Sequence, residues 1–326
     1  MLTTWLTDRF DLQVPVIGAP MAGPGEGSLA AAVSAAGGLG MIGVSGARDP
    51  GWIRAQGELA AGTGRPFGFG LMGWVLASRP EQLDAALASG PALISVSFGR
   101  PGDEDGDVTR LLAAVREAGV ATTTQVGTLA EAERVAAAGV DLLVARGGEG
   151  GGHGRNEVAT LPLLQEVLDR VPVPTVAAGG IAGPRGLAAV LAAGAEGAWV
   201  GTAFLGCTEA GGSVAAKRAL LAGRDTSTAY GRVFDVAQRL GWPPEFGGRA
   251  LRNRFFDTWV DRLDELAADE EASAQLARAR NEQDLDTAYV YAGQGVGLLA
   301  EERSAADVLA DFATAERLLR RFERPG

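Results

Sequence analysis

VATTTQVGTLAEAERVAAAGVDLLVARGG, residues 120–148, contains one complete unit of the architecture. A run rich in β-branched residues (120–126) leads into Thr128-Leu129-Ala130-Glu131, which has the spacing of a capping box, where a hydroxyl and a carboxylate satisfy the first free helical amides. The helical stretch that follows is closed by Gly139, the residue type that best tolerates a left-handed cap, and a second apolar run begins at 142. Working outward, apolar runs recur at 14–17, 39–44, 67–71, 93–98, 120–126, 142–145, 175–178 and 198–202. Their nearly continuous apolar character, in place of alternation, is the mark of strands buried on both faces of a parallel sheet. Between them, Asp49-Pro50, Pro80 with Gly90, Asp107 before 111–115, Pro162, and Pro184 with Gly194 repeat a polar or proline start and a glycine stop. Eight β/α units at about 25 residues each predict an α/β chain folded as a closed (β/α)8 TIM barrel, with an open doubly wound sheet as the alternative.

The strand rhythm stops after the eighth run. Residues 209–290 read as a helical insertion covering the barrel mouth, with Trp242-Pro243-Pro244 and Gly247-Gly248 as punctuation. Residues 1–208 and 291–326 are then the barrel, whose last helix presents Val308, Leu309, Phe312, Leu318, Leu319 and Phe322 on one face.

Composition narrows the function classes. Against 29 basic residues stand 40 acidic ones, a formal net charge of −11, so neither a nucleic-acid surface nor an anionic-membrane surface is expected. A single cysteine, Cys207, excludes an intramolecular disulfide and favours a reducing, cytoplasmic location; it reads as a small buried filler. Residues 1–11 lack a signal pattern, and the most apolar stretches are broken by glycines, so no membrane span is expected. One histidine, one cysteine and no paired carboxylate motif leave too few ligands for a metal centre.

The densest chemistry lies in Ala145-Arg146-Gly147-Gly148-Glu149-Gly150-Gly151-Gly152-His153-Gly154-Arg155, directly after the sixth strand. Barrel enzymes draw their catalytic groups from strand C-terminal ends and the loops beyond them. The only histidine of the chain, His153, sits there between glycines with no apolar helical face to pack on, and imidazole has the proton affinity suited to acid/base work near neutrality. Ala178-Gly179-Gly180 after the seventh strand and Gly201-Thr202 at the eighth occupy the positions of the recurrent barrel phosphate cradle. Ala19-Pro20-Met21 ends the first strand with a rigid turn and a soft side chain able to lie beside a planar ring, and Gln125 ends the fifth with an amide able to bond a carbonyl. The GxGxxG matches at 38–43 and 68–73 lie within strands and are set aside as dinucleotide fingerprints.

With these motifs in order, the chain resembles the nitronate monooxygenase family, formerly 2-nitropropane dioxygenases. The likeness runs from 14–23 and 32–40 through the 147–153 and 177–181 loops to 291–298, Tyr-Ala-Gly-Gln-Gly-Val-Gly-Leu. The resemblance implies non-covalent FMN with its phosphate at Gly179, Gly180, Gly201 and Thr202, its ring near Pro20, Met21 and Gln125, further cofactor contacts at Ala19, Gly152 and Ala178, and His153 as the base. It implies a small-molecule substrate, an alkyl nitronate or nitroalkane, with dioxygen as oxidant. The same scaffold serves NAD(P)H:quinone reductases and FMN-dependent enoyl-ACP reductases, which stay open as alternatives, as does a flavin-binding protein without turnover. The sequence departs from the family pattern at Gly70, where asparagine is common, at Arg146, where glutamine is frequent, and at Gly154-Arg155, where the order is usually reversed.

Overall fold

A ring of parallel strands closes on itself in the computed structural model, which describes residues 2–99 and 107–321. In chain order the strands are β1 (Val16–Gly18), β2 (Leu39–Gly43), β3 (Phe67–Met72), β4 (Leu93–Ser97), β5 (Ala121–Val126), β6 (Leu142–Arg146), β7 (Gly152–His153), β8 (Thr175–Ala178), β9 (Ala198–Val200), β10 (Thr228–Gly231) and β11 (Gly248–Leu251). The barrel order is β1-β2-β3-β4-β5-β6-β8-β9, and β9 pairs back onto β1 through Ile17 and Trp199. The eight runs expected from sequence are the eight barrel strands.

Two cores explain why those runs lack visible alternation. Leu39, Met41, Leu93, Leu142, Val144, Val176 and Trp199 share one buried cluster, while their neighbours Ile42, Ile94, Leu143 and Ala177 belong to another. The first cluster takes its members from strands all round the ring and so fills the barrel; the second lies beneath the helices. Both faces are apolar, so the period of two is hidden in the sequence. The helix Trp5–Phe10 adds Leu6 and Phe10 to the inner cluster, and Trp5 N and Thr4 Oγ1 bond Glu196 just before β9. It plugs the end of the barrel opposite the strand C-termini.

Most helix signals hold, with two differences in detail. Asp49 and Asp107 cap their helices through side-chain oxygens, and Gly90, Gly139 and Gly194 follow theirs at positive φ. At Thr128 the hydroxyl accepts from Glu131 N, but the Glu131 carboxylate reaches one residue further back, to Gly127 N at 2.8 Å, and binds Arg155 with its other oxygen. The final amphipathic stretch forms two helices, Ala305–Ala313 and Ala315–Arg320, with Thr314 at the junction, its hydroxyl bonding Asp311 O at 2.7 Å. Val308, Leu309 and Phe312 are buried and Leu318 and Leu319 pack against the outer core; Phe322 lies outside the described residues.

Residues 209–290, expected to be helical, also contain β10 and β11, which join β7 in a small antiparallel sheet of order β10-β11-β7. The segment has its own apolar cluster, built on Phe234, Phe255, Phe256, Leu266 and Leu276. No helix among the described residues is long and apolar enough to cross a membrane, and Cys207 is buried, with its thiol pushed up to about 12 by burial.

The glycines at 38–43 serve packing. A Cβ on Gly40 would stand 2.0 Å from the carbonyl oxygen of Ala30, in the helix laid across β2, and neither backbone can yield without parting helix from strand. Gly40→Ala should therefore cost about 1–3 kcal/mol by overpacking. The readout is a thermal midpoint several degrees below that of the parent in the same buffer; an unchanged midpoint would show that the contact relaxes freely.

Candidate active site

The loop after β6 is held by its acidic residue and its partner strand. Glu149 accepts hydrogen bonds from Thr160 N (2.9 Å) and Thr160 Oγ1 (2.7 Å), tying the loop to the start of the helix Thr160–Arg170. Three residues on, Gly152 and His153 form β7 and pair with Arg249 and Gly248 of β11. A two-residue pairing is weak by itself, but it fixes the direction in which the His153 side chain leaves the backbone.

That side chain is enclosed. Its imidazole stacks on Trp242 with ring centroids 3.6 Å apart and planes 3° from parallel, and the Tyr291 ring stands 5.1 Å away on a tilt. Nε2 lies 2.8 Å from Asp235 Oδ1, and the two side chains are only 11% and 3% exposed. The expectation that His153 has little to pack on is thus corrected: Trp242, Tyr291 and Asp235 enclose it. Asp235 and Trp242 escaped the sequence reading because their contacts span more than 80 residues, although a lone carboxylate inside the apolar run Val233-Phe234-Asp235-Val236-Ala237 was a visible anomaly. Tyr291 directs its hydroxyl to the same Asp235 oxygen at 3.5 Å, and burial pushes its pKa well above the usual phenol value, which keeps it a donor.

Beneath the loop lies Arg146, the last residue of β6, whose guanidinium reaches the carbonyls of Gly150 (2.8 Å), Gly151 (3.2 Å), Gly152 (3.1 Å) and Arg155 (3.1 Å). No carboxylate pairs with it among the described residues. Burial lowers it to about 10, which leaves it cationic at neutral pH. Arg249 adds a second clamp, through Gly148 O and Asn156 Oδ1. At Arg155, the side chain following Gly154, the guanidinium turns away to Glu131 and Glu157.

The glycine turns expected to form a cradle meet at the strand C-terminal ends. Gly179 and Gly180 have φ of +112° and +69°, and a Cβ on Gly180 would find only Glu149 at 3.6 Å, so that position opens outward. A Cβ on Gly201 would stand 3.5 Å from Met21 Sδ and 3.6 Å from Ala19 Cβ, which brings the first strand's turn to the eighth strand's. The Thr202 hydroxyl accepts from Gly293 N at 2.9 Å, and a Cβ on Gly295 would stand 3.0 Å from Ala182 Cβ and 3.5 Å from Gly180 O, so the 291–298 motif lies close to both turns. Beside Gly152, at φ +68°, there is open space. Ala178 is buried, and Gln125 stands half-buried, its side-chain amide making no hydrogen bond among the described residues.

The glycine at 70 has a local reason. A Cβ there would fall 2.3 Å from Cγ of Pro20, so the proline ring fills the space that a larger side chain would need. Around the rim, Trp242 also contacts Trp74 (5.4 Å) and Phe98 (5.1 Å), and Phe98 in turn meets Phe246 (5.3 Å).

If Arg146 is what holds the loop, Arg146→Met should strip four carbonyls of their donor. A buried polar group left unpaired costs about 1–3 kcal/mol, so amide exchange across 148–154 should quicken about ten-fold or more. Exchange unchanged from the parent in a folded variant would mean that β7 alone orders the loop.

A family model described as nitronate monooxygenase matches residues 3–314. The nitronate monooxygenase of Pseudomonas aeruginosa is 32% identical over 93% of this chain and 97% of its own. Among solved structures, FabK from Thermotoga maritima superposes with a TM-score of 0.83 at 29% identity, covering 98% of this chain and 97% of that one. The nitroalkane oxidase from Streptomyces ansochromogenes superposes at 0.78 with 31% identity, covering 96% and 99%. A match that spans nearly the whole chain settles the affiliation: the chain belongs to the nitronate monooxygenase family of oxidoreductases.

Proposed function

We propose that the protein is a cytoplasmic FMN-dependent nitronate monooxygenase, taking alkyl nitronates or nitroalkanes as substrate and dioxygen as oxidant. The observation that carries the reading is the enclosed imidazole of His153, in the loop after β6, at the strand C-terminal end of the barrel where the glycine turns at 179–180 and 201–202 also lie. In this reading residues 1–208 and 291–326 form the flavin-binding barrel, and 209–290 close its mouth.

The residues suit FMN on three counts. Gly179 and Gly180 bend the chain at positive φ where backbone amides can meet a phosphate, and Gly201 and Thr202 face the same region. Ala19, Pro20 and Met21 offer an apolar flank, and the unpaired amide of Gln125 is available to a ring carbonyl. The open space beside Gly152 admits a planar group close to the backbone. When bound, FMN supplies the electron transfer between nitronate and dioxygen. The protein's own work is to bind, to exclude water with Trp242 and its aromatic neighbours, and to move one proton. His153 takes the α-proton from a neutral nitroalkane, the C–H electron pair stays on the substrate as the nitronate, and the imidazolium formed lies against Asp235.

Four measurements test this. Denatured protein should release FMN, and stopped-flow mixing should show flavin reduction by a nitronate faster than by NADH or NADPH; the reverse order would favour a pyridine-nucleotide-dependent reductase. Gly180→Asp places a carboxylate where a phosphate must approach, so flavin retention should fall sharply; undiminished retention in a folded variant would put the phosphate elsewhere. His153→Asn should lower nitroalkane turnover by a factor on the order of 10²–10⁴ while sparing a pre-formed nitronate, whose proton is already gone. Because His153 is packed, that variant should also melt a few degrees lower; equal losses on both substrates would assign His153 to substrate placement.

A further inference from the structure

We infer that Asp235 is the positioning residue for the proton transfer, and that the atom accepting the substrate's proton is Nδ1 of His153. The inference rests on the proposed function for its chemistry but not for its geometry. A carboxylate has no hydrogen to give, so the 2.8 Å contact between Asp235 Oδ1 and His153 Nε2 places the imidazole hydrogen on Nε2. The remaining lone pair is then on Nδ1, which has no hydrogen-bond partner among the described residues.

Three features lock this arrangement. Asp235 is 2% exposed, in a helix, Val233–Ala237, whose other buried side chains pack in the insertion core, so it cannot swing away. Trp242 covers one face of the imidazole, so a ring flip that exchanged the two nitrogens would have to break the stack. On the facing strand Gly248 leaves room for both rings: a Cβ there would stand 2.7 Å from Tyr291 Cε1 and 3.4 Å from His153 Nε2. Tyr291 donates to the same carboxylate oxygen, so His153 and Tyr291 converge on Asp235 from two elements.

The charge balance follows. The proton leaves the substrate's α-carbon for Nδ1, both electrons of that bond stay with the nitronate, and the ring becomes an imidazolium whose Nε2 hydrogen still points at Asp235. The carboxylate stabilises that cation and fixes the tautomer; it does not itself take the proton. Other charged or titratable groups near the ring are Arg146, bound to Gly152 O, Arg249, which pairs opposite Gly152, and Tyr230, which donates to Gly154 O. The two arginines oppose an imidazolium, and Asp235 is the carboxylate in contact that offsets them.

Since His153 is the only histidine in the chain, its imidazole nitrogens can be observed without assignment. In flavin-loaded wild type labelled with 15N-histidine, the neutral ring should carry its hydrogen on Nε2; a hydrogen on Nδ1 would overturn the inference whatever the enzyme's substrate. Asp235→Asn should cost nitroalkane turnover on the order of 10² or more and should weaken the preference for the Nε2 hydrogen in the same 15N measurement, because an amide can either accept from or donate to the ring. Oxidation of a pre-formed nitronate should change only a few-fold, and Asp235→Glu should recover part of the loss. Equal losses on both substrates with an unchanged tautomer would make Asp235 a packing residue. Should the wild type oxidise neither substrate, the proposed function fails, and the tautomer measurement still decides the geometry.

Discussion

A guanidinium with no carboxylate partner among the described residues sits under the site, and the position of the site depends on it. Moving a cation out of water costs several kcal/mol even after relaxation, and an ion pair is the usual compensation. Arg146 is compensated by four backbone carbonyls instead. Three of those carbonyls belong to the glycine run 150–152 and the fourth to Arg155, so the cation supplies donors that the loop needs and the loop supplies acceptors that the cation needs. The loop gains a fixed path, and the cation gains acceptors without bringing a second charge beside His153. Glutamine at this position would carry too few donors for the same four carbonyls.

From that anchored loop the architecture extends outward by one short strand. β7 is two residues long, yet it is the seam where insertion and barrel meet, because β11 pairs with it and the insertion brings Asp235 and Trp242 to the imidazole. Binding of the insertion and orientation of His153 are therefore one structural event. The 291–298 segment reinforces it from the other side, with Tyr291 reaching Asp235 and Gly293 reaching Thr202. A perturbation of the insertion would be felt at the imidazole before it reached the barrel.

What could be read in the sequence divides along contact range. The barrel strands were legible because buried apolar runs and their caps are local signals, and so were the glycine turns at 179–180 and 201 and the histidine loop. The partners of His153 were not, since 82 residues separate it from Asp235 and no local pattern encodes that distance. Two departures from the family pattern became intelligible only in three dimensions. Gly70 faces the ring of Pro20, and Arg146 faces the carbonyls of its own loop. The small strands β10 and β11 were hidden for another reason: they pair with each other and with a glycine-histidine pair, so neither shows the β-branched run that marks a barrel strand.

Strain at the rim ties the remaining pieces together. Phe98, just past β4, holds φ at +63°, a region that a bulky side chain seldom occupies and that costs on the order of 1–3 kcal/mol. Its surroundings supply the compensation, because the ring meets Trp242 at 5.1 Å and Phe246 at 5.3 Å in edge-on contacts worth about 0.5–1.5 kcal/mol each beyond their burial. Trp242 in turn lies flat on His153. A relaxed backbone at Phe98 would turn that ring out of the cluster, leave Trp242 without its edge-on neighbour and loosen the stack over the imidazole. The fourth barrel strand, which contributes no hydrogen bond to His153, thus helps to set its orientation through two aromatic contacts in series.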